Sequence, residues 1–222
     1  MLSRHEEKYI LTYAQYAVLY QRALQVLHPD THGKNGTYTI TSLYFDDPMD
    51  SALAEKLDGL KLHSKFRLRT YDHASDFIKL ERKDKQGILT EKVTASVTCQ
   101  QLPLLTQLGD WSQLSGNAQS LLQQMQAKGC RPVVGVRYTR DAFFHPGSDF
   151  RLTFDRQLEA LPPDSECLFE ENFRGLPVLA PGSVIMEIKY GDYIPKFARK
   201  LTNARAPQLS LSKYALCRET LR

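Results

Sequence analysis

Hydrophobic and polar residues alternate over many short stretches of this chain, the period-two signature of strands with one buried and one polar face. In KFRLRTY (65–71), Phe66 and Leu68 alternate with Lys65, Arg67 and Arg69, and in FIKLERK (77–83), Ile78 and Leu80 alternate with Lys79, Glu81 and Lys83. FRLTFD (150–155) sets Phe150, Leu152 and Phe154 against Arg151, Thr153 and Asp155. VIMEIKY (184–190) sets Val184, Met186 and Ile188 against Glu187 and Lys189. TYTITSLYF (37–45), GILTEKV (87–93) and VVGVRYTRDAFF (133–144) are rich in β-branched and aromatic residues and read as further strands. SRHEEKYI at the front aligns Arg4, Glu6 and Lys8 and brings the count to about eight strands. Most of their connections are too short for a parallel crossover, so the sheet is expected to be antiparallel.

Helical spacing is confined to a few segments. Thr12 and Gln15 form a capping-box pattern ahead of Ala14, Ala17, Val18, Leu24 and Leu27, the expected core face of a helix ending near His28-Pro29. SALAEKL after Asp47-Pro48, the Gln-rich stretch 112–128 with Leu121, Leu122 and Met125, and PKFARKLTN (195–203) are the other expected helices. No repeat, linker or run of like charge divides the chain, so one domain over 1–222 is expected, of α+β class and dominated by β.

Composition narrows the function. With 222 residues, 42% hydrophobic and 24% charged, the chain is neither disordered nor a disulfide scaffold. It has no apolar run of the roughly 18 residues that a membrane span needs. Arg4, Glu6, Glu7 and Lys8 occupy the place of a leader's apolar run, and Cys99, Cys130, Cys167 and Cys217 lie far apart. A reduced, cytoplasmic protein is expected, without a zinc site. The net charge of +4 is too small to announce a nucleic-acid partner. No histidine ligand spacing and no Ser/His/Asp or Cys/His set stands out.

The placement of charge says more than its sum. A solvated sheet face with cross-strand Lys/Glu pairs is the ordinary explanation of one such strand. Several strands doing the same, with Arg as often as Lys and few Ser, Asn or Gln, weaken it. Lys8, Arg67, Arg69, Lys79, Lys83, Lys92, Arg140, Arg151, Lys189 and Lys213 set ten cations against Glu6, Glu81, Asp155 and Glu187. That excess of six exceeds the whole chain's +4, so basicity would be focused. Eight antiparallel strands can close into a barrel with a polar interior. An interior lined by Arg and Lys must take a dense anion, and phosphates fit best, with carboxylates holding Mg²⁺ or Mn²⁺.

Several ordered motifs then resemble one family: RHEEKY at the front, SLYFD (42–46), Arg67-Leu-Arg69, LERK (80–83), Tyr138-Thr-Arg140 with Ala142-Phe143, RLTFD (151–155), MEIK (186–189) and SKY (212–214). Together they resemble the catalytic domain of the vacuolar transporter chaperone (VTC) polyphosphate polymerases, within the CYTH-like triphosphate tunnel superfamily. The superfamily opens on Glu-x-Glu-x-Lys, and Arg4 stands at the first of those positions. The resemblance implies a closed, tunnel-type antiparallel β-barrel with flanking helices. Arg67, Arg69, Lys83, Arg140 and Arg151 would be its catalytic cations. Lys8, Lys92, Tyr138, Lys189, Ser212 and Lys213 would contact phosphate or nucleotide. Glu187 would hold Mn²⁺ or Mg²⁺, assisted by Glu6 and Glu81. From pattern alone, Lys92 fits a surface role and Tyr138 a core aromatic equally well. The implied reaction is transfer of the γ-phosphate of ATP to inorganic polyphosphate, any membrane partner being a separate protein. A tunnel-type triphosphatase and a non-catalytic polyphosphate-binding module are the alternatives.

Overall fold

In a computed structural model, residues 5–60, 62–87, 89–191, 193–202 and 206–222 are described. Arg4, Ile88 and Asn203, which entered the expectations above, lie outside them. In chain order the elements are β1 (His5–Thr12), α1 (Tyr13–Val26), β2 (His28–Pro29), β3 (Thr37–Asp46), α2 (Ser51–Leu57), β4 (Leu62–Tyr71), β5 (Ile78–Gln86) and β6 (Leu89–Val97). There follow α3 (Leu102–Thr106), α4 (Gly116–Ala127), β7 (Arg131–Phe144), β8 (Arg151–Leu161), β9 (Leu176–Pro177), β10 (Ser183–Tyr190), α5 (Lys196–Thr202) and α6 (Lys213–Thr220).

The sheet is antiparallel in the pairings described, with strand order β1-β10-β8-β7-β3-β4-β5-β6, while β2 pairs with β7 and β9 with β8. This corrects the expected closed barrel. Among the described residues, β1 and β6 stand at the two ends of the hydrogen-bonded order and do not pair, and closure by pairing is what alternation along single strands cannot specify. Two very short strands, β2 and β9, join the eight expected.

The chain forms two compact units, each drawn from three segments. Unit 1 comprises Met1–Thr39, Tyr138–Leu158 and Leu179–Leu211, and unit 2 comprises Ile40–Arg137, Glu159–Val178 and Ser212–Arg222. In unit 1, β1 pairs with β10 and β10 with β8, and the even positions Leu152, Phe154, Met186 and Ile188 are buried against α1 residues Tyr16, Leu19 and Ala23. The capping box at Thr12 and Gln15 is present. The buried face of α1, however, is not the expected one, for Val18 and Leu24 are 52% and 44% exposed. Tyr16 displaces them because its ring packs edge-on against Phe154 while its hydroxyl donates to buried Asp141, 2.9 Å away. In unit 2, Leu43, Phe66, Leu68, Ile78 and Leu80 join Leu121, Leu122 and Met125 of α4 in one core. Among the described residues no helix is long and apolar enough to cross a membrane.

Candidate functional site

The strand faces opposite these cores carry the charge, as the period-two pattern requires. In unit 2 the register builds three neighbouring rows. Lys65 faces Lys83, which faces Lys92; Tyr44 faces Arg67, which faces Glu81 and then Thr94; Ser42 faces Arg69, which faces Lys79 and then Ser96. Glu81 is buried and is gripped by Arg67, whose Nε lies 2.6 Å from Oε2, while the Lys92 ammonium pairs with Oε1. Burial alone would raise the Glu81 pKa, but Arg67, Arg69 and Lys92 outweigh it and hold it down at about 2.

Tyr44 belongs to the same surface, although the sequence did not single it out. Arg67 Nη1 donates to its hydroxyl at 3.0 Å, and its ring lies 5.1 Å from that of Tyr214. Burial works against its ionisation, yet Arg67, Arg69 and Lys65 prevail and lower its pKa to about 8. The start of α6 completes the group. Ser212 caps the helix by accepting from Ala215 N–H, and Lys65 donates to the same hydroxyl at 3.3 Å. The Lys65 ammonium also lies over the Tyr214 ring, whose hydroxyl donates to buried Asp46 at 2.6 Å. Lys213 is the first residue of that helix.

Unit 1 carries the second group. Lys8 Nζ sits 2.7 Å from Glu6 and 3.8 Å from Glu187, and Lys189 Nζ sits 2.5 Å from Glu187 and 3.8 Å from Glu6. Burial disfavours the Lys8 charge, but Glu187 and Glu6 more than offset it and hold the ammonium above the usual lysine range. Arg140 grips Asp155, fully buried, with two bonds of 2.7 and 2.8 Å, and its guanidinium lies 5.3 Å from the Tyr138 ring centre. Tyr138 is thus a buried aromatic that also touches a candidate cation. A pocket in this unit is lined by Arg140, Arg151, Lys189, Glu187 and Thr153, with Asp30, Tyr38, Ala142, Phe143 and Phe144 beside them.

The expected site residues therefore fall into two groups. Arg67, Arg69, Lys83, Lys92, Ser212 and Lys213 lie in unit 2, and Lys8, Tyr138, Arg140, Arg151 and Lys189 in unit 1. Of the expected metal ligands, Glu187 and Glu6 come together through Lys8 and Lys189, whereas Glu81 is committed to Arg67 and Lys92. No cluster of three Asp, Glu, His or Cys is found among the described residues. Two carboxylates still suit Mg²⁺, which commonly takes one or two of them and completes its shell with phosphate oxygens and water. Tyr44, Thr153, Asp30 and Phe144 were missed. Tyr44 lies in a strand buried almost throughout, so no alternation marks its face.

Comparison with known proteins bears on the family and the fold. A family model described as the VTC domain matches residues 3–222. Among solved structures, a candidate adenylate cyclase from Bacillus halodurans superposes with TM-score 0.56 at 11% identity, covering 95% of this chain and 96% of that one. Another from Vibrio parahaemolyticus gives TM-score 0.52 at 12% identity, covering 97% of each chain. A protein from Pyrococcus horikoshii gives 0.50 at 10%, covering 98% of each. At these identities the likeness shows the fold alone. No curated protein matches the chain.

Proposed function

Since the chain belongs to the VTC domain family, a CYTH-like tunnel fold family, we propose that it is a polyphosphate polymerase that moves the γ-phosphate of ATP onto inorganic polyphosphate. The observation that carries this reading is the concentration of cations on the paired strands of unit 2, where Lys65, Lys83 and Lys92 face one another in a row flanked by Arg67 and Arg69, around the buried carboxylate of Glu81. Like charges placed directly opposite destabilise a sheet, and a row of them is retained where an anion of high charge density neutralises it.

The terminal phosphate of a polyphosphate chain attacks the γ-phosphorus of ATP in line. The new P–O bond forms as the bond to the β-phosphate oxygen breaks, and ADP leaves with that electron pair. Arg67, Arg69 and Lys83 in unit 2, and Arg140 and Arg151 in unit 1, are the groups available to hold phosphate oxygens and offset their charge. A phosphate nucleophile is already ionised near neutral pH, so no general base is required. The state of the carboxylates supports transfer over hydrolysis: Glu81 is held by Arg67 and Lys92, and Asp155 by Arg140, which leaves both poor bases for activating water. Glu187, with Glu6, would hold Mg²⁺ or Mn²⁺, and the ion would supply Lewis-acid neutralisation of phosphate charge.

Incubation of the purified chain with ATP and Mn²⁺ or Mg²⁺, with and without a short polyphosphate primer, tests this. Gel analysis and ³¹P NMR should show long-chain phosphate with matching ADP. Orthophosphate without polymer would move the assignment to a triphosphatase, and tight polyphosphate binding without turnover to a binding module.

A further inference from the structure

The paired strands of unit 2 extend one row beyond Lys65, Lys83 and Lys92. There His63 of β4 faces Lys85 of β5, which faces Thr90 of β6. The three strands pair without a break in register, so this outer row shares a face with Arg67 and Arg69. The acids of the same strand ends, Asp84 and Glu91, face each other on the opposite side, where Asp84 accepts from Arg82 Nε at 2.7 Å. Alternation has thus sorted the charges at this end, with His63, Lys65, Lys83 and Lys85 together on one face. Lys92 turns back to Glu81, whereas Lys85 is exposed.

His63 registers how much positive charge gathers here. Burial, and then the charges of Lys65, Lys85 and Lys56 of α2, push its pKa below the ordinary histidine value, against the Leu60 carbonyl oxygen 3.3 Å from its Nδ1. Lys56 therefore adds a cation from a second element. Successive rows on one face lie about 7 Å apart, so a short anion held at Arg67 and Arg69 ends before His63 and a longer one reaches it. The two outer rows hold no Phe, Tyr or Trp, whereas a track for single-stranded nucleic acid interleaves aromatic rings for its bases. Inorganic polyphosphate carries charge at every link and has no base to stack. Resting on the reading of the inner rows as a phosphate site, we propose that His63, Lys85 and Lys56 form an outer binding stretch for the extending part of a long polyphosphate chain, which lets the protein distinguish long chains from short ones. The bound chain favours the charged imidazole, so His63 takes up a proton as the chain reaches it.

The test is calorimetric titration of the full chain, in chelator, with tripolyphosphate and with long-chain polyphosphate. It compares the native protein with Lys85→Arg, His63→Asn and the double variant Lys56→Gln with Lys85→Gln. The double variant should weaken long-chain polyphosphate about tenfold, which is about 1.4 kcal/mol, and leave tripolyphosphate within about twofold. Lys85→Arg keeps the charge and should bind both as the native chain does. In proton NMR the His63 ring signal, identified by its loss in His63→Asn, should titrate at higher pH with long-chain polyphosphate than with tripolyphosphate. A double variant that weakens both ligands alike, or neither, overturns the outer stretch and leaves the inner phosphate rows standing. Single-stranded DNA that binds as tightly as polyphosphate and is lost in the same double variant overturns the assignment to polyphosphate. Failure of the native chain to bind tripolyphosphate overturns the phosphate reading, and the outer stretch with it. Length discrimination that persists in a chain unable to make polymer supports the outer stretch and overturns the polymerase reading alone.

Discussion

Lys65 and Lys83 face each other directly across β4 and β5, and Lys92 extends the row onto β6. Like charges so placed cost about 0.2–1 kcal/mol per pair in a sheet. An anion bound along the row would relieve that cost, so Lys83→Gln should reduce the rise in melting temperature that tripolyphosphate produces, by about 1–3 °C for a protein of this size. Thermal unfolding with and without the anion reads this, and an unchanged response to tripolyphosphate would remove Lys83 from the site.

Tyr44 gives the site a dependence on pH. Its ionised form is favoured in the folded chain, so it contributes to stability above the ordinary tyrosine range near 10, and that contribution fades as pH falls through about 8. Binding runs the other way. A tyrosinate beside Arg67 cancels part of the charge offered to phosphate, and tripolyphosphate affinity should fall as pH rises through about 8. A tyrosinate absorbance step near that pH, absent from Tyr44→Phe and displaced upward by tripolyphosphate, is the expected signature. A step unchanged in Tyr44→Phe would assign the titration elsewhere.

The paired-strand pattern was legible because a period of two needs only neighbours along the chain. Lys65, Arg67 and Arg69 against Phe66 and Leu68 could be read directly, and the structure places them so. Features that depend on distant partners were not. Tyr16 takes the core position on α1 because Asp141, far away in sequence, receives its hydroxyl and Phe154 its ring. α6 is only eight residues long, and its Tyr214 is fixed by Asp46 and Lys65 rather than by an amphipathic repeat. Barrel closure is likewise a property of which edges pair, and no residue pattern within β1 or β6 encodes it.

Arg140 and the buried Asp155 form a bidentate pair, so removing one charge strands the other. Breaking such a pair typically costs about 3–5 kcal/mol, and Asp155→Asn should lower urea stability by that order. Tripolyphosphate should restore part of the loss, because a phosphate can take the place of the carboxylate against the guanidinium. Equal loss with and without tripolyphosphate would place Arg140 outside the phosphate site.

Glu187 separates catalysis from binding. It is buried, held by Lys8 and Lys189, and on β10 it directly faces Lys8 of β1. Glu187→Gln keeps its size while removing the charge that would attract a divalent ion. Metal-free tripolyphosphate binding should be retained or become tighter, since Lys8 and Lys189 lose a competing anion. Polyphosphate synthesis with Mn²⁺ or Mg²⁺ should drop by about a hundredfold or more, the scale of removing one electrostatic partner of a transition state. Full synthesis by Glu187→Gln would exclude this carboxylate as the metal ligand.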